Sequence, residues 1–358
     1  MFSEEEKQQY SRHFILDTIG IDGQTKLKKS KVLVIGAGGL GCPILQYISA
    51  AGVGTIGIID NDTVDQSNLQ RQVLFSIDDI GKPKASCAAE KLQKLNPYIK
   101  FNIYVESLNS INALDIFPLY DIIIDGSDNF QTRYLTNDAA ILTNKPLVFG
   151  AIFKFEGQVS VFNYQNGPSY RCLFPTPPAL DSIPNCSDIG VLGVLPGIIG
   201  CLQANETIKI ICGIGDILSG KLLSFNALNL QQNVLNFPKN EHIKIDKLID
   251  YDIFCGVKKT EDIEISCEEL KNSIQKENYT LIDVRKSMER ENFNIGGIHI
   301  PLHKLQQELN SLKETDNIII YCQVGQRSLV AAKMIQEKFP DKKVKSLSGG
   351  LNAWIKLQ

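Results

Sequence analysis

The strongest constraint on the fold is one short stretch, KVLVIGAGGLG at residues 31–41. KVLVI is an apolar run of buried-strand type, and Gly36, Gly38 and Gly41 come directly after it as G-x-G-x-x-G. Glycines in this pattern allow a tight turn and a close approach of backbone to phosphate, with a helix N-terminus aimed at the anion. TIGIID (55–60) reads as the next strand and ends on Asp60, an acid placed to bond ribose hydroxyls. Runs beginning at Phe101, Asp121 and Pro146 continue the series, with helical patterns between some of them. The expected fold is therefore α/β, a Rossmann-like doubly wound sheet. EGQVSVFNY (156–164) alternates as an antiparallel strand would and is expected at the far side of that sheet. A rival reading of the glycines is that they merely let helix and strand pack closely.

The chain is long enough, at 358 residues, for more than one domain. A loop rich in Pro and Cys is expected over 166–189, then a buried helix to about Cys212. The polar stretch 238–262 is the best candidate for a linker, after which a strand–helix pattern restarts with TLIDV, NIIIYC and VKSLSG. The expected division is 1–240, a linker at 241–261, and a small α/β domain at 262–358. With 43% hydrophobic and 22% charged residues, the composition excludes a disordered chain. Lys and Arg number 37 against 40 Asp and Glu, without long single-sign runs, so neither nucleic acid nor a membrane surface is an expected partner. The polar opening MFSEEEKQQY does not read as a secretory leader, and no apolar run is long enough to span a bilayer. Nine cysteines in such a chain point to a reducing, cytoplasmic setting in which thiols serve chemistry, metal or packing.

The residues beyond Asp60 discriminate between nucleotides. DNDTVDQSNLQRQ (60–72), GKPKA (81–85) and DGSDN (125–129) place Arg71, Lys84, Asp128 and Asn129 near the ends of successive strands, with Asp128 and Asn129 expected to close the fourth. A dinucleotide pyrophosphate can be held by backbone amides. A nucleoside triphosphate needs cationic side chains and a divalent metal with a carboxylate ligand, and this set supplies them. A nicotinamide-dependent oxidoreductase would use the same glycines but leave Arg71, Lys84 and SDN without a purpose.

GAGGLGCP (36–43), SNLQRQ (67–72), GKPKA, SDN and PNCSDIGVLG (184–193) together resemble the MoeB/ThiF family, prokaryotic relatives of ubiquitin-activating enzymes. The resemblance covers roughly residues 4–237. It implies an enzyme that binds ATP and Mg²⁺ and adenylates the C-terminal glycine of a small ubiquitin-like sulfur carrier ending in Gly-Gly. Carried over residue by residue, Gly39, Asp60, Asn68, Arg71 and Lys84 would contact ATP, and Asp128 would hold Mg²⁺ or phosphate. Arg12, in QQYSRHFIL, matches the family arginine that reaches the ATP of a second subunit, which implies a homodimer. Arg12, Arg71, Lys84 and the metal would stabilise charge developing on the phosphates as the carboxylate attacks. Many members also carry two C-x-x-C pairs that bind zinc. Here the matching segments are SYRC (169–172) and DIFC (252–255), and each has lost its first cysteine. Cys172 and Cys255 with Ser169 and Asp252 make a weak ligand set, so zinc is not expected; a Cys/Cys/Asp/water site is the alternative.

The C-terminal segment carries the second chemical signal. Cys322 ends NIIIYC and opens CQVGQRS, followed by a helical LVAAKMIQEKF. A cysteine at a strand-to-helix turn faces loop amides and a helix N-terminus, which stabilise a thiolate or persulfide, and Arg327 adds charge. With LIDVR (281–285), GGIHIP (296–301) and SGGLNAW (348–354), this part resembles a single rhodanese domain. Four residues separate Cys322 from Arg327, one fewer than in the related cysteine phosphatases, which suits a sulfur atom better than a phosphate. Asp283 and Arg285 are expected to brace the loop. Cys186, in PNCSDIG, would by resemblance attack the acyl adenylate or resolve a disulfide. Cys42, Cys87, Cys201, Cys212 and Cys267 are assigned to packing. The resulting expectation is an adenylyltransferase/sulfurtransferase serving molybdopterin, thiamin or a related product, with a cysteine desulfurase as sulfur donor. A non-catalytic carrier scaffold or persulfide relay is the competing class.

Overall fold

Residues of β1 (Lys31–Ile35) alternate between two apolar layers, so both faces of its sheet are covered: Val32 and Val34 belong to one buried cluster, Leu33 and Ile35 to the other. The computed structural model describes residues 2–178, 190–256, 263–273, 279–313, 315, 317–339 and 342–357. It divides into two compact units, Met1–Cys255 and Gly256–Gln358.

In the first unit β1 is followed by β2 (Thr55–Ile59), β3 (Lys100–Tyr104), β4 (Ile122–Asp125), β5 (Leu147–Phe153), β6 (Glu156–Phe162), β7 (Lys221–Asn226) and β8 (Gln232–Asn236). Their spatial order is β3-β2-β1-β4-β5-β6-β7-β8. The strands from β3 to β5 are parallel, and β5 through β8 pair antiparallel. The winding direction reverses between β1 and β4, and the crevice at the carboxyl ends of those two strands is where this architecture receives ligands. The buried helix Val194–Cys212 packs on β5 and β6, and the Gln203 side chain donates from it to the Asp125 carbonyl at 2.7 Å.

Four differences from the sequence reading have local causes. β4 ends at Asp125, so Asp128 and Asn129 do not close it: Asn129 caps the helix Phe130–Leu142, its side chain accepting from the Thr132 N–H. The Pro- and Cys-rich segment contains a short helix, Tyr170–Leu173, whose Tyr170 is buried among aromatic rings. β7 and β8 form between the buried helix and the polar stretch, where the sequence reading expects no strand; all five residues of β8 are exposed, which removes the apolar alternation that marks a strand. Residues 251–255, expected in the linker, form the helix Tyr251–Phe254 and its cap, and Tyr251 and Cys255 are buried in the first unit.

The second unit is a five-stranded parallel sheet of β9 (Glu264–Ile265), β10 (Thr280–Asp283), β11 (Ile298–His299), β12 (Asn317–Tyr321) and β13 (Lys343–Leu347), in the order β11-β10-β12-β13-β9. β12 is central and wholly apolar from Ile318 to Ile320, and the chain leaves its carboxyl end into the loop that begins at Cys322. Among the described residues, no helix of either unit is long and apolar enough to cross a membrane.

Candidate functional site

The glycine turn explains itself residue by residue. Gly36 has φ +87°, a left-handed conformation that disfavours side chains. At Gly41 a Cβ would lie 2.0 Å from the Gly36 carbonyl oxygen, so helix and strand meet only because the side chain is missing. Gly38 needs neither excuse: its φ is ordinary, and a Cβ there would have no neighbour nearer than 3.6 Å. Nothing among the described residues demands glycine at 38, and the space above it opens into a cleft of about 760 Å³.

The cleft lies at the switch point. Gly38, Asp60, Arg71, Lys84, Asp128 and Asn129 line it, together with Gly36 and Gly39. Asp60 is tied to the turn: its Oδ2 accepts from Ala37 N–H at 2.7 Å and its Oδ1 from Asp62 N–H at 2.8 Å. Burial raises its carboxyl, and these two amides oppose the rise. Lys84 is buried, with Nζ 2.9 Å from the exposed Asp62 carboxylate, and Arg71 donates to the Ser67 carbonyl at 3.1 Å. Both cations are therefore held by groups that an incoming anion can replace. Asp128 is exposed in the cleft and forms no hydrogen bond or ion pair with any described residue. A free, hard oxygen ligand beside phosphate-sized cationic partners fits Mg²⁺.

Two expected contacts are not in the wall. Asn68 turns into its own 3-10 turn, accepting from Asp65 N–H and donating to Ser67, and Arg12 is exposed on the short helix Ser11–Phe14. Cys186 lies outside the described residues. Conversely, Arg133 belongs to none of the sequence motifs, although it stands four residues after Asn129, one helical turn into the helix. It is 9% exposed, lines the cleft, faces the fully buried Asp125, and its Nε has no hydrogen-bond partner among the described residues. Burial raises the Asp125 carboxyl against the pull of Arg133.

Cys172 and Cys255 sit where a different device does the holding. Arg171 grips Asp138 with two bonds of 2.7 Å, Tyr251 donates to the same carboxylate at 2.8 Å, and the guanidinium lies over the Tyr134 and Phe254 rings. This buried pair joins the helices at 130–142, 170–173 and 251–254. The Cys172 sulfur accepts from the Ser169 and Asn240 amides, and burial pushes Cys255 up to about 11. Among the described residues no group of three or more His, Cys, Asp or Glu is arranged to hold a metal. Cys42, Cys87, Cys212 and Cys267 are buried, while Cys201 is half-buried.

In the second unit Cys322 has no exposed surface. Burial pushes its thiol up, but hydrogen bonds from the Ser328 hydroxyl and from the Ser328, Val324 and Gly325 amides outweigh it and hold the thiol below its ordinary value. The Leu351 and Asn352 amides take the carbonyls of Cys322 and Gln323, at 2.9 and 3.0 Å, and so fix the peptide planes of the loop. The bracing role expected of Asp283 and Arg285 has a visible form: Arg285 bonds Asp283 twice and reaches Gln323 of the loop at 3.1 Å. A fixed ring of amide and hydroxyl donors around one sulfur stabilises its anion.

Comparison with known proteins agrees with both halves. The ThiF family matches residues 10–245, two thirds of the chain. The chain belongs to the ThiF family. The rhodanese-like domain family matches residues 266–357. The adenylyltransferase and sulfurtransferase MOCS3 of Drosophila ananassae is 40% identical, over 96% of this chain and 82% of its own. The probable adenylyltransferase/sulfurtransferase MoeZ of Mycobacterium tuberculosis is 41% identical, over 99% and 94%. Among solved structures, E. coli MccB with ATP superposes with a TM-score of 0.60 over 68% of this chain and 75% of its own, at 23% identity, a likeness of fold. The ThiF chain described here is thus an adenylyltransferase with a sulfurtransferase domain.

Proposed function

We propose that the chain activates the C-terminal glycine of a ubiquitin-like sulfur carrier with ATP and then sulfurates it from a persulfide on Cys322. In the first step the carrier carboxylate attacks the α-phosphorus, pyrophosphate leaves, and an acyl adenylate forms. Gly36, Gly38 and Gly39 give the phosphates room, Asp60 bonds the ribose, and Arg71 and Lys84 exchange Ser67 and Asp62 for phosphate oxygens. Asp128 would hold Mg²⁺, which supplies charge neutralisation on the phosphates, and Asn129 completes that edge. Asn68, turned away in this state, would need to rotate to reach ATP. Arg12, exposed and outside the wall of its own cleft, would serve the cleft of a second copy in a homodimer. Zinc is not part of this reading, because Arg171 and Asp138 already join the elements around Cys172 and Cys255.

In the second step the terminal sulfur of the Cys322 persulfide attacks the acyl carbon and AMP leaves. The acyl disulfide that results is then cleaved by a thiol, either Cys186 or an external reductant, which releases the thiocarboxylate. A cysteine desulfurase would reload Cys322, and the product would serve molybdopterin or thiamin synthesis in the cytoplasm. The proposed working domains are the two units, Met1–Cys255 for adenylation and Gly256–Gln358 for sulfur transfer.

The observation that carries this reading is the pairing in one chain of a cleft whose cations have replaceable partners with a loop that stabilises an anionic sulfur. ATP–pyrophosphate exchange with purified protein and each candidate carrier ending in Gly-Gly tests it. Exchange that depends on one carrier is expected; ATP binding without exchange for any carrier would sink the adenylation step.

A further inference from the structure

The sequence suggests that Arg327 lends its charge to Cys322, but the structure shows that charge already shared. Arg327 closes the loop and grips Glu289, on the helix Ser287–Asn292, with two bonds of 2.8 and 2.6 Å. Both side chains are about one-third exposed, so the pair stands at the surface of the loop rather than in the core. Arg327 holds the Glu289 carboxyl down to about 2, which keeps it ionised through the whole working range. Behind it, Arg285 pairs with Asp283 in the interior and Arg290 lies 3.6 Å from the same carboxylate. Three arginines thus share two carboxylates, and the one positive charge left over matches a single anionic sulfur on Cys322.

We propose that Glu289 is a specificity-determining residue: by neutralising Arg327 it disfavours small dianionic sulfur donors, such as thiosulfate, at Cys322. The proposal rests on Cys322 as the sulfur-bearing residue. The reaction it restrains is simple. The Cys322 thiolate attacks the outer sulfur of thiosulfate, a new S–S bond forms as the bond to the sulfonate sulfur breaks, and sulfite departs with the electron pair. Cyanide then removes the outer sulfur as thiocyanate and restores the thiolate. A dianion approaching a bidentate ion pair meets a dipole, whereas an unpaired guanidinium would attract it and offer a fork of donors.

The test uses the full chain with Glu289→Gln, which keeps shape and removes charge. Cys322 is alkylated with iodoacetate or with neutral iodoacetamide, and its peptide is followed by mass spectrometry. Because the same thiolate attacks both reagents and displaces iodide from each, their rate ratio reports the local charge and not thiol acidity or loop geometry. The ratio is expected to rise in favour of iodoacetate by several-fold, and kcat/KM for thiosulfate by about tenfold, mainly through KM. An unchanged ratio overturns the proposal. Glu289→Ala serves if the Gln variant does not fold, with the same expected direction. Cys322→Ala separates the premise from the gate: retained sulfur transfer would overturn both, whereas its loss together with a flat ratio overturns the gate alone.

Discussion

The two units handle negative charge in opposite ways. The cleft of the ThiF unit places Arg71 and Lys84 against Ser67 and Asp62, partners that a ligand can displace, and leaves Asp128 free of the other described residues. The rhodanese-like unit surrounds Cys322 with backbone amides and the Ser328 hydroxyl, which cannot be displaced, and pins the loop from behind through Leu351, Asn352 and Arg285. The difference follows from the size of the anion. A triphosphate enters and leaves with several charges, so its site needs strong but exchangeable cations. A persulfide is one covalently held charge, and fixed dipoles stabilise it without reorganisation.

The largest expected effect is the cleanest division between the two. Cys322→Ala should lower sulfur transfer by at least about 10³-fold, as loss of a nucleophile does, and leave ATP–pyrophosphate exchange intact. Loss of both activities would break the comparison. Lys84→Ala should do the reverse, reducing carrier-dependent exchange by about 10²–10³-fold while thiosulfate:cyanide sulfurtransferase activity is unchanged. Asp62 is exposed and loses only an ion partner, so an equal melting temperature is expected alongside.

The glycines sharpen the cleft side. Gly41→Ala should destabilise the unit, because its Cβ would press on a backbone carbonyl. Gly38→Ala should leave thermal unfolding unchanged and weaken ATP binding by about tenfold, read by calorimetry, if that glycine serves a ligand alone. A destabilised Gly38→Ala protein would return that residue to the packing explanation.

The smallest effect lies at the sulfur. With the Cys322 thiol held low, its alkylation rate should reach half-maximum below the pH of about 8.5 at which a free cysteine titrates. Ser328→Ala removes a donor to the thiolate and should move the half-point upward toward that value. A pH profile that Ser328→Ala leaves unmoved would show the backbone amides to be sufficient.

Much of the molecule was legible along the chain because its signals are local. The strand–glycine–helix turn at 31–41 and the strand–cysteine–helix turn at 317–338 each pack their chemistry into a few adjacent residues, and the apolar period announces the strands around them. Buried β-runs such as Ile122–Asp125 are similarly plain. The antiparallel strand β8 was not, since an exposed strand needs no apolar alternation and is held by its ladder to β7. Helix Tyr251–Phe254 was hidden for a related reason: its polar neighbours read as a linker, and partners distant along the chain, such as Asp138, 113 residues before Tyr251, draw it into the first unit.

The sequence alone determined the two α/β architectures, the place of the cleft at the glycine turn, and the cysteine that can carry sulfur. Tertiary structure alone decided which charges are free. Arg71, Lys84 and Arg327 carry the same charge along the sequence. In the fold, however, one holds a carbonyl, one an exposed acid, and one Glu289, which is 38 residues away along the chain. A charge acts through its distance to other charges, and that distance is set by the packing of elements far apart in sequence.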